Sequence, residues 1–132
     1  MNPENPALLA SRKSWDCVQN KRREDWLALM AEDVCVEDPI GKSALDPVGN
    51  GHRGKDAVAA FWDANIAPNK IKVTCHESWT GGHEVAHRLT LTTILQVGHT
   101  VAVEAIFTYA VNDRGLITNL RGFWEMNDIK FL

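Results

Sequence analysis

The chain has 132 residues, with 14 Lys and Arg against 17 Asp and Glu, for a net charge of −3. That suffices for one domain with a real core and is too little for two. The charges are mixed in sign with no basic run, and no apolar stretch approaches a membrane span, so neither nucleic-acid nor membrane partners are expected.

Three cysteines, Cys17, Cys35 and Cys75, are odd in number and show neither paired nor metal-binding spacing. A disulfide framework or a zinc site is not expected. With no charged-then-apolar leader pattern at the start, a reducing cytoplasm fits best. Five tryptophans stand beside a single tyrosine, Tyr109. That balance suggests large apolar walls with few hydroxyl donors.

Asn5-Pro6 is a helix entry, a side-chain cap followed by proline at the first helical position. From there to about Asn20, Leu8, Ser11, Trp15 and Val18 fall near one face. A second helix is expected over Arg23 to Ala31, with Trp26, Leu27 and Met30 as its apolar members. A strand follows over Val34 to Asp38. The stretch Lys42 to Arg53 carries Pro47, Gly49, Asn50 and Gly51 without periodicity and reads as a long loop. A third helix is expected from Lys55 to Ile66, burying Val58, Phe61, Trp62 and Ile66, with Pro68 ending it.

The remainder reads as sheet. Lys70 to Trp79 alternates, Thr80 to His83 turns, and long β-branched runs follow at Val85 to Gln96, Thr100 to Val111 and Leu116 to Met126. The connections at residues 97–99 and 112–115 suit hairpins. Helices first and a meander afterwards make an α+β chain, with helices covering one face of a curved sheet. Val101, Val103, Ala105, Phe107 and Tyr109 share one strand face. Ala102, Glu104, Ile106, Thr108 and Ala110 share the other, which is still half apolar. A sheet apolar on both sides predicts a homodimer through the face its own helices leave open.

One residue stands out chemically. The alternation Val34, Val36, Asp38 places a carboxylate on an apolar strand face. Burial there raises a carboxyl pKa toward the range useful to a general base, while Asp38-Pro39 also fits a simple turn opener. Glu37 faces the other way, so the adjacent carboxylates are no acid–base pair.

Residues 29–41, from Leu29 through Glu37-Asp38-Pro39-Ile40-Gly41, then Gly54 to Trp62, and finally Asp113-Arg114-Gly115-Leu116-Ile117 through Phe123-Trp124, resemble the ketosteroid isomerase (steroid delta-isomerase) branch of the NTF2-like, SnoaL-like superfamily. The likeness spans nearly the whole chain outside the Lys42 to Arg53 loop. It is similar in style to a mycobacterial steroid-binding member. It implies a cone of three helices on a bent sheet enclosing an apolar pocket, with no cofactor and no metal. It also implies that Asp38 moves a proton from a carbon beside a ketone to one two carbons away. Ketosteroid isomerase is itself the reference case of an Asp base working against an oxyanion hole of a tyrosine and a protonated Asp.

The chain departs from that family pattern at the donors. The first-helix tyrosine falls on Ser14, supporting tyrosines fall on Trp62 and Met30, and the second oxyanion donor falls on Phe107, which cannot donate. Tyr109 is the candidate replacement, if its hydroxyl turns inward rather than into water, and Ser14 is a shorter one. Trp15 and Trp62 carry indole donors but read as aromatic wall. The resemblance implies a ligand wall of Trp124, Trp62, Phe61, Phe107, Val18, Val103, Ala105, Leu120 and Gly122. Leu116, Thr118, Leu120, Gly122 and Trp124 are expected on one strand face. His87 reads as a structural histidine, and His52, His76, His83 and His99 have no ligand spacing. Two functions stay open: an isomerase with an atypical oxyanion hole, or a binder of steroid-like or other polycyclic ligands. The superfamily's epoxide hydrolase pattern is weak here, because Arg88-Leu89-Thr90 lacks its Asp and Gly122 stands where the other is expected.

Overall fold

Asn5 caps the first helix as its chemistry dictates. Its Oδ1 accepts from the N–H groups of Ala7 and Leu8 at 2.9 and 3.1 Å, and Pro6 opens α1 (Pro6–Gln19). The computed structural model describes residues 1–132. Helix α2 spans only Arg23–Ala28, and Met30 opens strand β1 (Met30–Glu37) rather than closing the helix. The reason is lateral: β1 lies parallel to β6 (Ile117–Phe123), and Met30 pairs with Ile117. A strand covered on both faces buries successive residues, and Val34, Cys35 and Val36 are all buried.

The stretch after β1 is a loop as expected, but an organised one. The Asp46 carboxylate accepts from the backbone N–H groups of Gly49 and Gly51 at 3.1 and 2.8 Å. The loop closes on a two-residue strand, β2 (His52–Arg53), which pairs with β1. Gly51 has φ +80°, and a β-carbon there would lie 2.7 Å from Cys35 Sγ, so only glycine fits.

Helix α3 (Lys55–Phe61) does not continue regularly to Ile66. It widens into a π-helical turn over Trp62–Ile66, closed by the Ala67 N–H donating to the Trp62 carbonyl at 2.9 Å. Strands β3 (Lys70–Gly81), β4 (Glu84–Ile94), β5 (Thr100–Val111) and β6 form an antiparallel meander. The sheet order is β2-β1-β6-β5-β4-β3, with a short β7 (Lys130–Phe131) on β5. The result is α+β, three helices on a curved and mostly antiparallel sheet.

Two expectations about the last long strand are corrected. It stops at Phe123 instead of Met126, and a 3₁₀ turn (Met126–Asp128) leads to β7. A register shift after Ala110 pairs Val111 with Ile117 and Ala110 with Asn119. The bulge brings Ile117 inward, fully buried, and takes Leu116 and Thr118 off the inner row. Leu120 and Gly122 keep it.

Candidate active site

The helices and the concave face of the sheet enclose a cavity of about 350 Å³, with 22 of its 27 lining residues hydrophobic. Asp38 is the one charged residue among them. It sits just past the end of β1, where the Asp38-Pro39 peptide is cis and the Ile40 N–H donates to the Gly122 carbonyl at 3.1 Å. That bond ties the turn to β6. The Trp124 indole N–H donates to Asp38 Oδ1 at 2.6 Å. Burial pushes the Asp38 pKa up to about 6, and the indole hydrogen bond acts against that rise. One carboxylate oxygen is thus held and the other is left for the cavity.

Gly122 makes this pair possible. A β-carbon there would lie 2.6 Å from Asp38 Oδ1, 2.8 Å from the Phe107 ring and 2.9 Å from Trp124 Nε1. The direct Trp124–Asp38 bond is invisible to strand alternation, because it joins residues 86 positions apart. It also carries a test. Replacing Trp124 by Phe removes the donor that holds the carboxylate charged, so the Asp38 pKa should rise further and less base should be ionised at neutral pH. A carboxyl titration followed by NMR checks this, and an unshifted midpoint would contradict it.

Tyr109 lies on the inner face of β5 and is only 4% exposed, so its hydroxyl is inside the cavity and not in water. The Trp15 indole N–H donates to Tyr109 Oη at 3.0 Å. With its oxygen accepting there, the phenol can aim its own proton at a ligand. Burial raises the Tyr109 pKa, as does the charge of Asp38, while the Trp15 and Ser14 groups beside the oxygen lower it. The phenol therefore stays protonated and donating at neutral pH.

Ser14 reaches the cavity wall, where its Oγ accepts from the Trp26 indole at 2.9 Å and its hydroxyl is directed at Tyr109 Oη. It serves as a brace between Trp26 and Tyr109. Behind Trp15 stands His87, fully buried, with ring centroids 4.6 Å apart. Ser11 donates its only proton to the Leu8 carbonyl at 2.8 Å, so His87 Nε2–H must donate to Ser11 Oγ at 2.9 Å. Nδ1 then accepts from Ser78 Oγ at 2.6 Å. Burial, with Arg12 nearby, lowers the His87 pKa to about 4 and keeps the ring neutral. It is a structural histidine that sets Trp15.

Val18, Phe61, Val103, Phe107, Leu120 and Trp124 line the cavity as expected. Trp62, Ala105 and Gly122 do not; Asp38, Phe107 and Trp124 close over Gly122. The π-helical turn begins at Trp62 and its ring packs on Trp26, centroids 5.1 Å apart, so Trp26 supplies the wall in its place. The Ala105 methyl packs among core side chains behind the wall. Sequence reasoning missed Leu45 from the loop and Met126, Ile129 and Phe131 from the C-terminal segment, which close one end. A loop, a 3₁₀ turn and a two-residue strand leave no periodicity to read. Glu37 takes a hydrogen bond from Arg121 on the opposite face, as the alternation requires. Arg88 lies on the outer face too, paired with Glu77 and Glu104. An epoxide-opening arrangement around it is therefore absent.

Residues 12–120 match the family described as SnoaL-like domain. The chain belongs to that family. Several solved structures are similar to it over nearly the whole chain. Delta 5-3-ketosteroid isomerase from Mycobacterium sp. is 49% identical, with TM-score 0.93, covering 97% of this chain and 99% of that one. RV0760c from Mycobacterium tuberculosis, solved in complex with estradiol-17beta-hemisuccinate, is 51% identical, with TM-score 0.92 and coverage of 97% and 100%. A computationally designed 17-OHP binder is 47% identical, with TM-score 0.94 and coverage of 98% and 100%. No curated protein matches the sequence.

Proposed function

We propose that the chain binds a 3-oxo steroid or a similar fused-ring ketone and isomerises its double bond from the Δ5 to the Δ4 position. The observation that carries this reading is the lone carboxylate, Asp38, raised to a pKa of about 6 in an otherwise apolar, steroid-sized cavity. The Asp38 carboxylate takes the proton from C4, and that C–H electron pair becomes part of a dienolate whose negative charge sits on the C3 oxygen. Tyr109 O–H donates to that oxygen as its charge grows. The protonated Asp38 returns the proton to C6, and the double bond comes to rest between C4 and C5. No oxidant or cofactor enters the balance.

Trp124 and Phe107 flank Asp38 over Gly122 and line the cavity, so the ligand rings meet aromatic walls beside the carboxylate. Phe107 stands where the resemblance implies a second oxyanion donor, and this favours one alternative reading. The same geometry serves a non-catalytic binder, with Asp38 accepting from a ligand hydroxyl. Incubation with 5-androstene-3,17-dione decides between them. Appearance of the conjugated ketone supports the enzyme, whereas tight, Asp38-dependent binding without conversion supports the binder.

We also propose a homodimer through the outer face of the sheet. Ile106 and Phe123 are exposed there, with the Arg121 guanidinium 5.4 Å over the Phe123 ring. Arg88, Glu77 and Glu104 add a polar rim to the same face. Monomeric sedimentation at high micromolar concentration would overturn this.

A further inference from the structure

We propose that the end of the cavity remote from Asp38 holds a second polar subsite, formed by Asn65 and Thr93, that takes a hydroxyl group at the distal end of the ligand. This rests on the ketone reading above and adds a requirement to it. The inner row of β4 runs Val85, His87, Leu89, Leu91, Thr93, and Thr93 interrupts it with a hydroxyl that lines the cavity. Unlike His87, whose two ring nitrogens are both satisfied, Thr93 makes no side-chain hydrogen bond within the protein. That hydroxyl is half-buried and open to the cavity, so a ligand filling the cavity takes water away from it and has to supply its hydrogen bond.

Asn65 lies on the facing π-helical turn and also lines the cavity. Its Nδ2 donates to the Phe61 carbonyl at 3.2 Å, which fixes the amide and leaves Oδ1 as an unused acceptor. Asn69 holds the two elements in register. Its Nδ2 donates to the Asn65 carbonyl at 2.8 Å, and its Oδ1 accepts from the Gln96 N–H at 3.0 Å. Both ends of Asn69 are thereby used, so it braces the subsite without serving it. Asn65 offers an acceptor and Thr93 a hydroxyl that can donate. A ligand hydroxyl satisfies both at once, a ketone only the second, and a charged group has no counter-ion on this wall.

The spacing sets the ligand's length. Thr93 pairs with Val101, and Phe107, six residues further along β5, pairs with the Gly122 that abuts Asp38. The two ends lie six residues apart along a curved strand, with side chains reaching inward from both, so a ligand engaging both is elongated and polar at each end. Short bicyclic ketones would reach only one.

The test uses two conjugated ketones that differ only at the distal end, 17β-hydroxy-4-androsten-3-one and 4-androsten-3-one. Calorimetry gives their affinity ratio in the wild type, Thr93→Val and Asn65→Leu, each variant serving as its own folding control. The hydroxylated ligand should bind about 10-fold tighter to the wild type, the worth of one or two net hydrogen bonds. The ratio should fall toward one in both variants. A wild-type ratio near one, with Tyr109-dependent binding of both ligands intact, would overturn the subsite and leave the ketone reading standing. A preference that persists in both variants would also overturn it. Binding of neither ligand would overturn the ketone reading and the subsite together.

Discussion

Asp38→Asn is expected to lower the isomerisation rate by about 1,000-fold while making the fold more stable at neutral pH. The amide cannot take the proton, yet it preserves shape, and its Oδ1 still accepts from the Trp124 indole. The stability gain follows from the site's electrostatics. The Asp38 pKa is raised from 3.8 to about 6 in the folded protein. The folded state therefore favours the protonated carboxyl. Its contribution is fully present below the unfolded value and is lost as pH rises through about 6. Above that, the wild type holds an ionised carboxylate in a poorly solvated wall, a cost of about 3 kcal/mol. Asparagine carries no such cost. Urea unfolding at mildly alkaline pH should favour the variant, and the gap should close on acidification. An equal gap at both pH values would contradict the buried-carboxylate account, and an unaltered rate would remove Asp38 as the base.

Tyr109→Phe is the second large effect, a loss of about 100-fold in kcat. Charge grows on the ketone oxygen only as the C4 proton leaves, so a donor there acts chiefly on the transition state. Phe107 cannot donate, and the Ser14 hydroxyl, which accepts from the Trp26 indole, is directed at Tyr109 Oη. Tyr109 is then the main hydroxyl left at this end of the cavity. The substitution also strands the Trp15 indole, which now donates to Tyr109 Oη. Some stability should fall with it, so thermal unfolding of the variant has to be measured beside the kinetics. A folded variant with a rate within a few-fold of wild type would take Tyr109 out of the mechanism.

The inward carboxylate of Asp38 was legible because the information for it is local. Val34, Val36 and Asp38 lie within five residues, and alternation alone turns the carboxylate inward. Tyr109 was legible as an inner-face residue of β5 for the same reason. Whether its hydroxyl met water or the cavity depended on Trp15, 94 positions away, and no pattern reports that pairing. Trp62 was misplaced because its helix changes pitch at that residue, and 3.6-residue periodicity has no term for a π-helical turn. Leu116 and Thr118 were misplaced for a related reason. The two-residue alternation of β6 is broken by a bulge that only its register with β5 reveals. The C-terminal wall was missed because a 3₁₀ turn followed by a strand of two residues has no period to read.

The helix order, the meander and the sheet's two faces came through because they rest on long periodic runs. Met30 shows the limit of that reasoning. Its spacing after Trp26 and Leu27 suits a helix, but pairing with Ile117 on a distant strand decides the matter. The family pattern at the donors was legible as a loss, while the inward turn of the Tyr109 hydroxyl was visible only from its contacts with Trp15 and Ser14.

The central claim is that Asp38 moves the proton from a site that raises its pKa. The pH dependence of kcat/KM for 5-androstene-3,17-dione tests it most directly, since that parameter reports the ionisation of the free enzyme. The rate should climb about tenfold per pH unit on the acid side, bend near pH 6 and hold a plateau above it. The Asp38→Asn variant should show no such limb. A profile flat through that range, or conversion that survives in the variant, would contradict the account.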